Sequence, residues 1–282
     1  MRFSRHQTRK RFGQHWLKDE SILTKIVAAA DLKSNDRVLE IGPGKGALTE
    51  KLLALNFESL HTIELDRDLV TGLKDRFGQN PRFSLREGDA LFVPLTPPRV
   101  LPANKVVANI PYNITGPLLE RLVGRLDKPT ENIYERLVIL LQKEVANRIL
   151  ASPGQSNYSA LSVRMQLMAN CRNVCVVPPK CFQPPPKVYS QVIIIEPLSL
   201  DKRIDLGIAR QVEILLKTAY LARRKMLHNT LRNLPYFSQI DILANNFGID
   251  LEQRPQDLSP EDWLDLAKGL SENNLINSKK TE

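Results

Sequence analysis

The chain is short of the residues and runs that mark secreted, metal-binding or membrane proteins. Its 282 residues include three cysteines, Cys171, Cys175 and Cys181, and four histidines. An odd number of cysteines in a chain of intracellular character excludes a disulfide framework. No histidine lies close enough in sequence to complete a tetrahedral zinc set with them. They are expected to be structural thiols, with Cys171 and Cys175 on one face of a strand, and nothing in the pattern requires a metal. No apolar run approaches the roughly 20 residues that span a bilayer. The N-terminus carries arginines but lacks the apolar segment and small-residue cleavage site of a secretory leader. A soluble protein is expected, with the cytoplasm as its compartment and an organelle as the alternative.

Acids are also in deficit. Lys and Arg total 40 against 31 Asp and Glu, a formal charge of +9, which favours a polyanionic partner over a neutral metabolite. The excess is clustered: Arg2, Arg5, Arg9, Lys10, Arg11 and Lys18 all precede the first acid, Asp19, and a second group stands at Arg223, Arg224 and Lys225. Either cluster alone could equally be a solvated tail or helix face.

From Asp36 to about Leu150, apolar β-rich runs at 37–41, 60–65, 82–86, 105–108 and 137–141 alternate with helical patterns. Such alternation predicts βαβ crossovers and a parallel sheet covered on both faces. Two further strand candidates, 173–177 and 188–196, are separated by a proline-rich loop instead of a helix, which predicts an antiparallel edge. Beyond Pro197 only helical spacing remains, at 208–222, 225–234, 237–246 and 260–270. Ser259-Pro260-Glu261-Asp262 has the chemistry of a helix start: a capping hydroxyl, a proline in the first turn, and acids at the positive end of the dipole. The reading divides the chain into a basic arm and helix (1–35), an α/β domain (36–198), a small all-helical domain (199–271) and a tail expected to be disordered (272–282).

Val38-Leu39-Glu40-Ile41-Gly42-Pro43-Gly44-Lys45-Gly46 runs from a buried strand into a helix expected near Ala47. Glycines permit the tight turn and close approach of a ligand to the main chain. A Walker A loop is excluded, because Lys45 is followed by Gly46 and Leu39 stands where the first glycine belongs. A dinucleotide fingerprint is met loosely by Gly42, Gly44 and Ala47, with Glu64 placed for a ribose, so the glycines alone leave a dehydrogenase open. Glu40 tips the balance. A carboxylate at the strand end suits a cationic amino acid moiety, as in S-adenosylmethionine, and is of little use to a pyrophosphate. Glu64 and Asp89, the latter in Gly88-Asp89-Ala90, follow at successive strand ends. Glu64 suits ribose hydroxyls and Asp89 an adenine amino group, while Asp66 is expected to cap the next helix.

Asn109-Ile110-Pro111-Tyr112 closes the fourth strand. Adenine N6 is a poor nucleophile because its lone pair is conjugated with the ring. The Asn109 side-chain oxygen and the Ile110 carbonyl together can accept both N6 hydrogens and aim the lone pair at a sulfonium methyl. Pro111 holds that carbonyl in place, and Tyr112 offers a face to an unstacked base. As a bare tetrapeptide the run could be an ordinary turn; its order after the loop, Glu64 and Asp89 argues for catalysis.

With these motifs in place the chain strongly resembles the ribosomal RNA adenine dimethylase family, most closely its small-subunit branch. Lys10-Arg11-Phe12-Gly13-Gln14-His15-Trp16-Leu17 is similar to the family's N-terminal motif over the cofactor site, with Trp16 where phenylalanine is more usual. Phe182-Gln183-Pro184-Pro185-Pro186-Lys187-Val188-Tyr189-Ser190 and Tyr220-Leu221-Ala222-Arg223-Arg224-Lys225-Met226-Leu227 also match. The resemblance implies an α/β fold with a Rossmann-like class I methyltransferase sheet, an antiparallel edge strand and a small all-helical C-terminal domain. It implies a monomeric enzyme that transfers methyl groups from S-adenosylmethionine to N6 of two adjacent adenosines near the 3′ end of small-subunit (16S) ribosomal RNA. The partner would be the pre-ribosomal small subunit, with no role for DNA or a membrane. By the same carry-over His15, Leu17, Glu40, Gly42, Gly44, Gly46, Glu64, Asp89, Ala90 and Asn109 serve the cofactor. Tyr112 and Phe182 hold the base, and Lys10, Arg11, Arg223, Arg224 and Lys225 meet RNA. Two rivals share the motifs: a resistance dimethylase acting on large-subunit RNA, and a non-catalytic assembly factor.

Overall fold

A computed structural model describes residues 15–130 and 134–278 of the chain, with side chains described as far as Ser271. The described elements begin with β1 (Trp16–Leu17), α1 (Glu20–Ala30), β2 (Arg37–Ile41), α2 (Ala47–Leu53), β3 (Ser59–Glu64), α3 (Arg67–Phe77), β4 (Phe83–Glu87) and β5 (Lys105–Asn109). A single 3-10 turn (Tyr112–Ile114) then leads into α4 (Thr115–Val123), the short hairpin β6 (Gly124–Arg125) and β7 (Lys128–Pro129), and β8 (Arg136–Gln142). The chain continues through α5 (Lys143–Leu150), α6 (Ala160–Met168), β9 (Ala169–Val177), β10 (Phe182–Gln183) and β11 (Ser190–Pro197). It ends in α7 (Leu206–Ala219), α8 (Leu227–Leu231), α9 (Phe237–Phe247) and α10 (Pro260–Ser278).

Seven strands form one sheet in the order β4-β3-β2-β5-β8-β11-β9. β2, β3, β4, β5 and β8 are parallel, and β11 runs antiparallel to β8 with Ser190 opposite Gln142. The antiparallel edge expected from the proline-rich loop is present. β5 and β8 are covered on both faces, so their sequences are continuous apolar runs and Val106 to Ala108 and Leu137 to Leu141 are all fully buried. Each of the Val, Leu and Ile side chains among them contributes about 1.5–3 kcal/mol relative to exposure.

One expected helix is missing. Residues 88–104 join β4 to β5 without a helix because Pro94, Pro97, Pro98 and Pro102 remove donors and clash with the preceding turn. β1 pairs with β10, placing Leu17 opposite Phe182 and Trp16 opposite Gln183, a tie between distant segments that no local pattern announced. Asp19 caps α1 by accepting from the Ile22 N–H, and Asp66 caps α3 as expected.

The structure divides into two compact units. The first holds the chain through Val123, the stretch that ends at Ala146, and Cys171–Pro197; the second holds Gly124–Pro129, Asn147–Asn170 and the chain from Leu198 onward. The second unit thus includes a segment that the sequence boundary at 198 left in the α/β domain. Within it Arg164 of α6 chelates Glu213 of α7, and Val163 and Met165 are buried. Its core is built on Trp263, Leu215, Leu216, Leu227 and Leu266, all fully buried. Ser259 and Asp262 cap α10 reciprocally, the hydroxyl accepting from the Asp262 N–H at 3.1 Å and the carboxylate from the Ser259 N–H at 2.7 Å. The tail expected to be disordered from 272 is helical to Ser278, since no proline or glycine follows Gly269 to break α10. Among the described residues no helix is long and apolar enough to cross a membrane.

Candidate active site

The sheet order reverses between β2 and β5, with β3 and β4 on one side and β8, β11 and β9 on the other. At such a switch point the loops leaving the carboxyl ends of the two strands part and open a crevice. Two adjoining cavities of about 300 and 240 Å³ lie there, sharing Trp16, Gly42, Gly44 and Asn109 in their walls. The first also contacts Leu17, Glu40 and Pro43; the second contacts His15, Glu64, Asp89, Ala90 and Ile110 to Tyr112.

The glycine loop leaves β2 and enters α2 at Ala47, as its sequence predicts. A Cβ on Gly46, whose φ is +81°, would stand 2.6 Å from the Phe77 ring, and one on Gly44, at φ +59°, would stand 2.9 Å from Trp16. Glycine is therefore required both for the left-handed turns and for the closeness of the two aromatics. Trp16 covers the loop, with Lys45 Nζ 4.0 Å from its ring centroid. Gly46 touches neither cavity and acts by starting α2.

The three acids differ in how they are held. Glu40 is 1% exposed; its Oε2 accepts from the Thr49 hydroxyl at 2.7 Å, and its Oε1 is buried without a partner. Burial, with the nearby Glu64 charge adding to it against the Thr49 bond, pushes its pKa up to about 8. A buried acceptor left open beside a cavity fits a cationic ammonium group, which supplies both a donor and the opposite charge. Glu64 is likewise raised by burial, and its oxygens accept from the Gly44 N–H at 3.0 Å and the Asp66 N–H at 2.8 Å. It thereby braces the glycine loop, and ribose hydroxyls would meet its remaining lone pairs. Asp89 accepts the Leu91 N–H on Oδ1 at 2.8 Å, and the residue lines the second cavity.

Asn109 ends β5, and its amide nitrogen donates to the His15 carbonyl at 3.2 Å, which directs the side-chain oxygen the other way. The Ile110 N–H donates to Leu140 O at 3.1 Å, anchoring the Asn109–Ile110 peptide next to the carbonyl that precedes Pro111. The Tyr112 hydroxyl shares a 2.5 Å hydrogen bond with Ser190 at the start of β11. Its ring stacks on His15 at a centroid distance of 5.7 Å and an interplanar angle of 25°. His15 Nδ1 lies 2.9 Å from Pro184 O. Two acceptors, an aromatic face and a neighbouring cavity with an open carboxylate together suit methyl transfer from a sulfonium to an amine on a planar ring.

His15, Leu17, Glu40, Gly42, Gly44, Glu64, Asp89, Ala90 and Asn109 to Tyr112 are gathered at the two cavities. Phe182 is not among them: it is 2% exposed, packed in the hydrophobic cluster with Leu17, Leu23 and Cys181. The β1–β10 pairing draws it inward, so in this arrangement it presents no ring face to a base. Arg223, Arg224 and Lys225 belong to the second unit and are exposed. They lie on the link between α7 and α8 and not on a helix; beyond them the Leu227 and His228 N–H groups, at the start of α8, donate to Gln253 and Leu251 O. Lys10 and Arg11 fall outside the described residues. No disulfide joins the three cysteines, and burial raises the thiol pKa of Cys171 to about 12, in keeping with structural thiols. Sequence reasoning missed Thr49 and Ser190, which hold Glu40 and Tyr112, because neither partner is close in the chain.

The chain as a whole has counterparts among known proteins. A family model described as ribosomal RNA adenine dimethylase matches residues 5–272. A ribosomal RNA small subunit methyltransferase A of Synechococcus sp. (strain WH7803) is 62% identical over 96% of this chain and 97% of its own. The protein of that name from Prochlorococcus marinus (strain MIT 9303) is 59% identical over 98% of this chain and 99% of its own. Among solved structures, a dimethyladenosine transferase from Plasmodium falciparum superposes with a TM-score of 0.79 at 30% identity, covering 92% of this chain and 98% of that one. With a cofactor loop, an amine-directing run and a match of this length, the chain belongs to the ribosomal RNA adenine dimethylase family, whose members are S-adenosylmethionine-dependent methyltransferases.

Proposed function

We propose that the protein transfers two methyl groups to N6 of each of two adjacent adenosines near the 3′ end of small-subunit ribosomal RNA, acting as a monomer on the pre-ribosomal small subunit. The observation that carries this reading is the Asn109–Tyr112 run: Asn109 stands at the wall shared by two cavities, one suited to a cationic amino acid moiety and the other to an adenosine, and Ile110 to Tyr112 line the second. S-adenosylmethionine supplies an electrophilic methyl on sulfur. Glu40 would hold its ammonium, Glu64 its ribose and Asp89 its adenine amino group. Asn109 Oδ1 and the Ile110 carbonyl would accept the two N6 hydrogens of the target, so that the nitrogen becomes pyramidal and its lone pair faces the methyl carbon. The same two acceptors would stabilise the positive charge that grows on the target nitrogen as it is methylated. The methylated nitrogen then loses a proton readily without a strong base. Tyr112 would stack on the extruded base, taking over the face that His15 now covers. Arg223, Arg224 and Lys225, with Lys10 and Arg11, would contribute phosphate contacts.

Immature small-subunit particles incubated with methyl-labelled cofactor should yield labelled N6,N6-dimethyladenosine on nuclease digestion. Label confined to large-subunit RNA, or none in adenosine, overturns the reading.

The buried Glu40 gives cofactor binding a pH dependence of predictable sign. Its pKa of about 8 means that the free protein holds a proton there at neutral pH, and a cationic ligand must displace it. Affinity for S-adenosylmethionine should therefore rise with pH below about pH 8, by at most about tenfold per pH unit, and stop rising where the ligand's own α-amino group begins to lose its proton. Calorimetry in buffers of different ionisation enthalpy should detect the released proton, and Glu40→Gln should abolish both release and slope. The same raised pKa bears on stability: this contribution is fully present below the unfolded carboxyl value of 4.5 and is lost as pH rises through about 8.

A further inference from the structure

The segment that presents Asp89 is secured from outside its own sequence. Its local bonds are those of a tight turn: the Phe92 and Val93 N–H groups both donate to Asp89 O at 2.9 Å, and Gly88 donates to Glu64 O at 2.9 Å. At Gly88, with φ +152°, a Cβ would stand 2.4 Å from Val93 Cγ1, so the turn folds closely back on itself. Onto this turn reaches Arg121 of α4. Its Nη1 donates to Ala90 O at 2.5 Å and its Nη2 to Val93 O at 2.6 Å. The half-buried guanidinium thus spends its planar fork on two neutral carbonyls that flank the cofactor wall, beside the buried Tyr134. A fork of two parallel donors fixes orientation as well as distance, which a single ammonium cannot do. The helix bearing Arg121 begins at Thr115, directly after the turn that carries Tyr112, so the adenine end of the cavity and the catalytic run share one rigid support.

We propose that Arg121 is a positioning residue that sets the selectivity of the cofactor site for an adenine amino group. By clamping the Ala90 and Val93 carbonyls it keeps Asp89 Oδ2 at the height where an exocyclic amine can donate to it. The inference rests on the reading of Asp89 as the adenine acceptor. A carboxylate in a fixed position accepts from a 6-amino group and repels a 6-oxo group, whereas a mobile one turns away from the oxygen and discriminates poorly.

The test compares binding of S-adenosylhomocysteine with that of S-inosylhomocysteine, in which oxygen replaces the amino group, by calorimetry on the full chain. The native protein should prefer the adenosyl compound by about tenfold or more, as expected where a fixed carboxylate accepts from the amino group and faces the oxo group unfavourably. Asp89→Ala sets the floor, with preference lost. Arg121→Met should bring the preference to about threefold or less by weakening adenosyl binding alone, and Arg121→Lys, which cannot span both carbonyls, should fall between. Retention of the full preference in Arg121→Met, or equal weakening of both ligands, overturns the proposal. A native protein without preference instead refutes the assignment of Asp89 itself, while leaving the methyl-transfer assay on ribosomal particles free to succeed. Should Arg121→Met fold poorly in thermal unfolding, the Arg121→Lys ratio decides.

Discussion

Replacing Asn109 by alanine is expected to lower kcat for RNA methylation by about 10³-fold, the scale of losing a preorganised acceptor at the reacting atom. The side-chain oxygen is held by the amide's bond to the His15 carbonyl at 3.2 Å, so its orientation is set before substrate arrives. With alanine one N6 hydrogen has no acceptor, and the lone pair stays in conjugation with the ring. Binding of S-adenosylhomocysteine should weaken far less, because Glu40, Glu64 and Asp89 remain in place at the other walls. Single-turnover methylation and cofactor titration on the same preparation separate the two effects. A parallel loss in both would place Asn109 in cofactor binding and leave N6 activation without its principal group. Aspartate at this position should not rescue activity, since it cannot donate to His15 while accepting from substrate.

The largest expected effect on stability lies at the opposite end of the same strand. Lys105, which begins β5, places Nζ 2.7 Å from Asp36 Oδ2, with side-chain exposures of only 7% and 4%. Lys105 Nζ also donates to Asp31 O at 2.6 Å, and Asp36 accepts from Asn104 Nδ2 at 2.7 Å and from the Lys33 N–H at 2.6 Å. Asp36→Asn removes the counter-charge and leaves a buried ammonium, at a cost of about 3–5 kcal/mol. For a chain of this size that corresponds to a fall in melting temperature of roughly 10 °C, measurable by calorimetry. Asp36→Asn combined with Lys105→Met should recover most of it, because the penalty belongs to the uncompensated charge. Burial raises the Asp36 carboxyl, but the Lys105 bond and the other donors outweigh it, and its pKa lies below the ordinary 3.8. Its contribution is therefore present above that value and lost as pH falls below it. Full retention of stability by Asp36→Asn alone would show that the pair is solvated.

The alternation of apolar strands and amphipathic helices from Asp36 onward determined the parallel sheet, since strands buried on both faces must be written as apolar runs and crossovers as helices. The glycine loop, its acids and the Asn109–Tyr112 run were legible for a similar reason: each is a contiguous stretch whose chemistry is local. The caps at Asp66 and Ser259 were legible within three residues. What sequence could not supply was pairing at long range. Thr49 opposite Glu40, Ser190 opposite Tyr112 and Arg121 on the Asp89 turn each join positions on different elements, and no periodicity encodes such a meeting. Only the tertiary structure turned Phe182 into the core, because its fate depends on β10 pairing with β1 across most of the first unit. Likewise Asn147–Asn170 looks like a continuation of the α/β pattern until Arg164 meets Glu213 and α6 packs within the second unit. Residue type and spacing determine which chemistry is available to this chain. The fold decides which of those groups face the cavity, and it does so through contacts whose partners the linear sequence keeps far apart.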